Sequence, residues 1–142
     1  MLHIGDVQKA MAYFAKQIVE AGLRHDRTKI SGIDDFHDSF TRKLSEKAFK
    51  AEKWFQTHLT ERHHLNDRCP DDVTLIDVLE RVADIVMAGM ARSGSVWTDA
   101  LDADILQKAY KNTIELLKNQ VEVVEVLADD SWIKAATIAG VK

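Results

Sequence analysis

Apolar positions in this chain recur mainly at intervals of three and four residues, the pattern of helices that each bury one face. Val7, Met11, Phe14, Ile18 and Ala21 keep that spacing after Asp6, whose side chain suits a helix N-cap. At about 100° per residue the same register reaches His25, so the stripe ends in His25-Asp26 with Lys29 close behind. Gly22 offers a stop just before that pair. Residues 31–40 read as a connector with at most one helical turn started by Ser31; Phe36 and Phe40 are expected inside, His37 and Asp38 in solvent. A second long helix is expected over 42–64. Leu44, Ala48, Ala51, Trp54, Phe55 and Leu59 make its apolar arc, and Lys43, Lys47, Lys50 and Lys53 take the opposite side. Residues 65–71 read as a loop, halted by Pro70. A third helix should start at Asp71 or Asp72 and run to about Arg92, with Gly94 past its end. A fourth should run from Asp102 or Asp104 towards Leu127, and Asp129-Asp130-Ser131 can cap a short last one carrying Trp132. The expectation is an all-α, single-domain helical bundle of about four main helices, with a core over 6–128. Residues 129–142 are expected to be a C-terminal segment for docking or oligomerisation.

Polar residues interrupt this pattern where it should be apolar. His58 falls between Trp54 and Phe55 on the helical wheel, with Arg62 just beyond and His63-His64 closing the segment. Buried groups of this kind need partners, so a site is expected here. On the third helix Asp77, Glu80 and Asp84 lie within about 60° of one another. Like charges stacked in that way repel, which a purely structural face would avoid. Three elements therefore offer ligand-type groups: His25-Asp26, then His58 with His63-His64, then Asp77, Glu80 and Asp84. Neighbours on a helix point about 100° apart, so one of His63 and His64 is expected to face the site. Mixed imidazoles and carboxylates suit Mn, Fe, Co, Ni or Zn as a divalent ion better than calcium. The expected metal ligands are His25, Asp26, His58, His63, His64, Asp77 and Asp84. Glu80 is the candidate base, and Lys29 and Arg62 the candidates for stabilising phosphate charge.

Composition narrows the picture. A chain of 142 residues can close a hydrophobic core, and its net charge of −4 gives no broad attraction to nucleic acid. Cys69 is the single cysteine, which excludes an internal disulfide and a thiolate zinc cluster. No apolar run approaches the roughly 18–20 residues needed to span a bilayer. The first residues lack the basic and apolar segments of a signal peptide. A cytoplasmic protein with no membrane partner is expected.

The order His25-Asp26-x-x-Lys29, then Trp54-x-x-x-His58-x-x-x-x-His63-His64, then Asp77-x-x-Glu80-x-x-x-Asp84 resembles an uncharacterised family of small phage and bacterial all-α proteins. The likeness covers roughly residues 10–95. More distantly, the pattern resembles the HD-domain phosphohydrolases, all-α enzymes that hold metal through His, His-Asp and a later Asp. This chain departs from their order, since its histidine-rich segment follows the His-Asp pair. The resemblance implies a metal-dependent phosphohydrolase acting on a nucleotide or related phosphoester, in the host cytoplasm if phage-encoded. The competing expectation is a non-catalytic helical binding protein with a structural metal or polar network. A homodimer is expected from base rates alone.

Overall fold

The chain is built from helices α1 (Leu2–Arg24), α2 (Arg27–Ser31), α3 (Ile33–Thr41), α4 (Glu46–Ala51), α5 (Lys53–His58), α6 (Leu65–Arg68), α7 (Leu75–Ser93) and α8 (Ala103–Gln120). This is a computed structural model, and it describes residues 2–120. No strand occurs among the described residues, so the fold is all-α. The continuation of the fourth helix to Leu127, the last helix and the C-terminal docking segment lie outside them.

Helix α7 carries α1 on one side and α8 on another, while the short helices α2 to α5 pack among themselves. Two cores result. One is aliphatic: Leu65, Val73 and Ala109 are buried, with Leu75, Val78 and Ile105 against them. The other is aromatic. Trp54 is buried edge-on to Phe36 (ring centroids 4.9 Å apart), Phe49 (5.4 Å) and Phe55 (5.5 Å). A tryptophan held this way is worth about 3–5 kcal/mol against alanine.

Several expected boundaries move. Helix α1 starts at Leu2, so Asp6 lies inside it rather than capping it. Of its apolar stripe Ala21 is buried, whereas Val7, Met11 and Ile18 stay exposed. The 31–40 connector is largely the helix α3, which sets Phe36 and Phe40 at i, i+4 with rings 5.0 Å apart. Phe40, which the pattern places inside, is 60% exposed.

The long helix expected over 42–64 does not form as one piece. Ser45 caps α4 by accepting the Ala48 N–H, and the backbone turns extended at Glu52 (φ −58°, ψ 137°) before α5 begins. Arg42 holds Glu52 through a 2.7 Å ion pair. The bend turns Trp54 into the phenylalanine cluster, a gain in packing that outweighs continued helical propensity. Residues 65–68, expected as loop, form the short helix α6. Helix α7 begins at Leu75, later than expected, because the Asp77 carboxylate accepts from the Thr74 N–H (2.7 Å) and hydroxyl (3.1 Å). At the other end Gly94 takes the left-handed conformation (φ 67°), as expected of a residue just past a helix end.

Candidate metal centre

The site is assembled from three places. Helix α1 ends at Arg24, leaving His25 and Asp26 in the turn before α2. Helix α5 ends on His58, and the turns after it carry Glu61, His63 and His64. Helix α7 contributes Glu80 and Asp84, one turn apart on its inner side.

The imidazoles converge. His63 stacks at 4.5 Å from His25 and 4.4 Å from His64, and His64 lies 4.3 Å from His58, centroid to centroid. The Nε2 atoms of His58 and His64 are 2.7 Å apart. Asp26 Oδ1 stands 3.6 Å from His58 Nε2 and 3.9 Å from His63 Nε2. Asp84 completes the ring, with Oδ1 3.5 Å from His25 Nε2 and Oδ2 3.9 Å from His63 Nε2. His58 and His63 are almost wholly buried.

Hydrogen bonds behind the rings decide which nitrogen faces inward. Glu61 accepts the Asp26 N–H (2.8 Å), the Thr28 N–H (2.8 Å) and the Thr28 hydroxyl. Burial opposes its ionisation, but those donors, together with nearby His58, hold its carboxyl below the usual range. Thr28 has one hydroxyl proton and gives it to Glu61. Its oxygen, 3.2 Å from His58 Nδ1, must therefore accept from that ring. His58 is then the Nδ1–H tautomer, and its Nε2 lone pair points at the centre.

Glu80 plays the matching part on the other side. Its Oε1 lies 3.1 Å from His25 Nδ1 and 3.0 Å from His63 Nδ1. Burial disfavours its charge, yet His63 and His25 hold the carboxyl below its ordinary value. A carboxylate behind the ring nitrogen is the usual device for fixing a metal-ligating tautomer.

Protonation follows the same geometry. Burial, with Lys29 and His64 close by, pushes His58 down to about 4 despite Asp26 and Glu61. Burial and the neighbouring His63 lower His64 as well. For His63 burial acts downward, but Glu80, Asp84 and Glu61 outweigh it and raise the ring. Burial works against the charge of Asp26, and the Lys29 ammonium 2.7 Å from Oδ2 overcomes it, holding the carboxyl low.

Two buried atoms in the middle, His63 Nε2 and Asp26 Oδ1, are left without hydrogen-bond partners, and His63 Nδ1 faces Glu80 Oε1 at 3.0 Å without the angles of a hydrogen bond. Orphaned buried acceptors are costly, and a cation among them would satisfy them. Ligand-type atoms of His58, His63 and His64 come within 4.8 Å of one another, as do those of His25, Asp26 and His63. The residues present therefore fit a metal ion.

Not every expected residue joins this cluster. Asp77 is buried and bound by Arg62, whose Nε and a terminal nitrogen donate to its two carboxylate oxygens at 2.7 and 2.9 Å. Arg62 also donates to Asp72 Oδ1 at 2.9 Å, and both residues line a separate cavity of about 370 Å³ beside Asn112. Asp77 thus serves as a helix cap and ion-pair partner, and it is not brought among the histidines. His63 and His64 both face the centre, contrary to the helical expectation of one, because the helix stops at His58. His37 is exposed on α3, as expected.

Two residues emerge that the pattern did not single out. Glu61 and Thr28 carry the buffer of hydrogen bonds behind His58; the only signal was Glu61 sitting three residues after His58. Arg81 on α7 is a further tie, donating to the His63 carbonyl at 3.2 Å and to Asp99.

The centre opens on two clefts. One, of about 490 Å³ between α1 and α7, is lined by His25, Asp26, Lys29, Glu80 and Asp84 with Ile76 and Met87 beyond. The other, of about 720 Å³, reaches Lys29, His58, His64 and Asp84. Comparison with known protein families, curated proteins and solved structures finds no match to this chain.

Proposed function

We propose that the protein is a metal-dependent phosphohydrolase acting on a nucleotide or related phosphoester. One observation carries the reading. Four imidazoles and two carboxylates meet beside open clefts; His25 and His58 have their Nδ1 atoms hydrogen-bonded and His63 Nδ1 lies 3.0 Å from Glu80, which leaves the three Nε2 atoms facing inward. The HD-domain resemblance supports it, since a His-Asp pair, further histidines and a later Asp are drawn together from separate parts of the chain.

His25, Asp26, His58, His63 and His64 would hold a divalent transition metal. When bound, such an ion lowers the pKa of a water and polarises a phosphoryl oxygen. The protein's own groups divide the remaining work. Glu80 and Glu61 position the rings, since their carboxylates are occupied and the Glu80 side chain is only 8% exposed. Glu80 therefore suits a positioning role better than that of general base. Asp84, 30% exposed where both clefts meet, is the carboxylate placed to take the proton of the attacking water. Lys29 reaches both clefts and can balance phosphate charge. In the hydrolysis, water oxygen bonds to phosphorus, the ester P–O bond breaks, and the leaving alkoxide ends protonated by solvent.

A second reading, a binding protein with a structural ion, is favoured by the near-complete burial of His58 and His63. Elemental analysis before and after chelation, a thermal melt and a phosphate-release screen separate the two. The expected result is about one or two ions per chain, loss of phosphate release on chelation and a surviving fold. Unfolding on chelation without phosphate release from any nucleotide would favour the structural ion. Absence of bound metal after loading with each of Mn, Fe, Co, Ni and Zn would end both.

A further inference from the structure

The larger cleft has a polar end and an aromatic end. Beyond Lys29, His58, His64 and Asp84 its walls are Phe36 and Phe40 from α3, Phe49 from α4, and Trp97 from the loop after α7. Phe40 is 60% and Trp97 39% exposed, so large rings are left facing a concavity instead of being packed away. Arg92 lines the same cleft, its guanidinium carbon 5.7 Å from the centroid of Trp97. A volume of about 720 Å³ is within the range of small-molecule sites. The loop bearing Trp97 is held against α7 by a close approach at Gly89: a Cβ there would lie 2.6 Å from Trp97 N and 2.7 Å from Ser95 O. The Trp97 indole N–H also donates to Ser93 Oγ at 3.0 Å. This wall of the cleft is thus fixed on both its backbone and its side chain.

We propose that the larger cleft binds a planar aromatic ring joined to an anionic group, with the ring among Phe40, Phe49 and Trp97 and the anion between Lys29, Arg92 and the histidine centre. The inference rests on the phosphohydrolase reading for the identity of the anion and deepens it by naming the substrate class, an aromatic phosphomonoester. Stacking on aromatic side chains is favourable for any base because every base has a π-face. A sugar phosphate alone would leave those rings uncovered. The ring of the ligand is a nucleobase or a phenol, and the two share this chemistry.

The test uses the full-length protein loaded with Mn²⁺. Adenosine 5′-monophosphate, phenyl phosphate and ribose 5-phosphate are titrated against it, reading initial tryptophan quenching before turnover. At least one ring-bearing ester is expected to bind about tenfold more tightly than ribose 5-phosphate. Phe40→Ala and Phe49→Ala should each remove that preference while metal content is unchanged. Preference for adenosine 5′-monophosphate over phenyl phosphate assigns a nucleobase, and the reverse assigns a simple aryl ester. Equal binding of all three, no binding of any, or a ring preference that survives both substitutions overturns the proposal. Ring-dependent binding without phosphate release would overturn the hydrolase reading and leave this site standing. Phosphate release from all three esters alike would do the opposite.

Discussion

Asp26 occupies the left-handed region (φ 56°, ψ 23°), a conformation few non-glycine residues adopt. Its backbone N–H and that of Thr28 both end on Glu61, so one carboxylate stabilises the turn and, through the Thr28 hydroxyl, orients His58. Glu61→Gln keeps the shape but replaces one acceptor oxygen by a donor, and it cannot serve all three groups. Metal affinity is expected to fall about 10–100-fold, as for other groups that orient ligands. Asp77→Asn is the control in the opposite sense. It weakens the charge-assisted bonds from Arg62 and should cost about 2 kcal/mol of stability while leaving metal affinity alone. Metal titration and urea unfolding of the two variants measure both quantities. Loss of metal in Asp77→Asn with normal stability would contradict this division of roles.

At the scale of the elements, the sequence was most readable where one helix face speaks for itself. His25-Asp26 at the end of α1, and Glu80 with Asp84 on α7, follow from spacing alone. The segment 42–64 was not readable in the same way. Its helical register is unbroken on paper, and the turn at Glu52 arises from contacts distant in sequence: Arg42 on Glu52, and Phe36 on Trp54. The same limit hid Glu61, whose partners lie more than thirty residues away, and it placed Asp77 wrongly, since a carboxylate in a stacked row reads alike whether it faces a metal or an arginine. Gly89 was equally silent, being one small residue within an apolar helix. Gly89→Ala should force the backbone of residues 95–97 off α7, because the contacts at 2.6 and 2.7 Å are with main-chain atoms that cannot swing aside. A loss of about 1–3 kcal/mol is expected, as for other overpacked sites. The tryptophan emission should shift as Trp97 moves, with metal content preserved. An unchanged spectrum and unchanged stability would show that the loop does not rest on α7 as described.

For the molecule as a whole, the centre joins α1, α2, the turns after α5, and α7, so its charge state enters the stability of the entire bundle. His58 titrates at about 4 in the fold and near 6.5 when unfolded. As pH falls between those values the unfolded chain takes up a proton that the fold refuses, and stability is lost. His64, also lowered, acts in the same direction. Asp26, Glu61 and Glu80 are held below their ordinary values, so their contribution is present above the unfolded pKa and disappears as pH falls further. His63 is raised, so its contribution is complete below its unfolded value and fades as pH rises through the folded one. The metal-free protein is therefore expected to weaken in acid, first through His58 and His64 and then through the carboxylates, and to lose the His63 contribution on the alkaline side. A bound ion reverses the alkaline side of that profile. Imidazole ligands must be unprotonated to bind it, so affinity, and with it the stabilisation of the fold, grows as pH rises. Thermal melts of loaded and chelated protein from about pH 5 to about pH 8 should show a gap in Tm that widens with pH. A gap that stays constant or narrows across that range would mean that the ion is not held by these histidines.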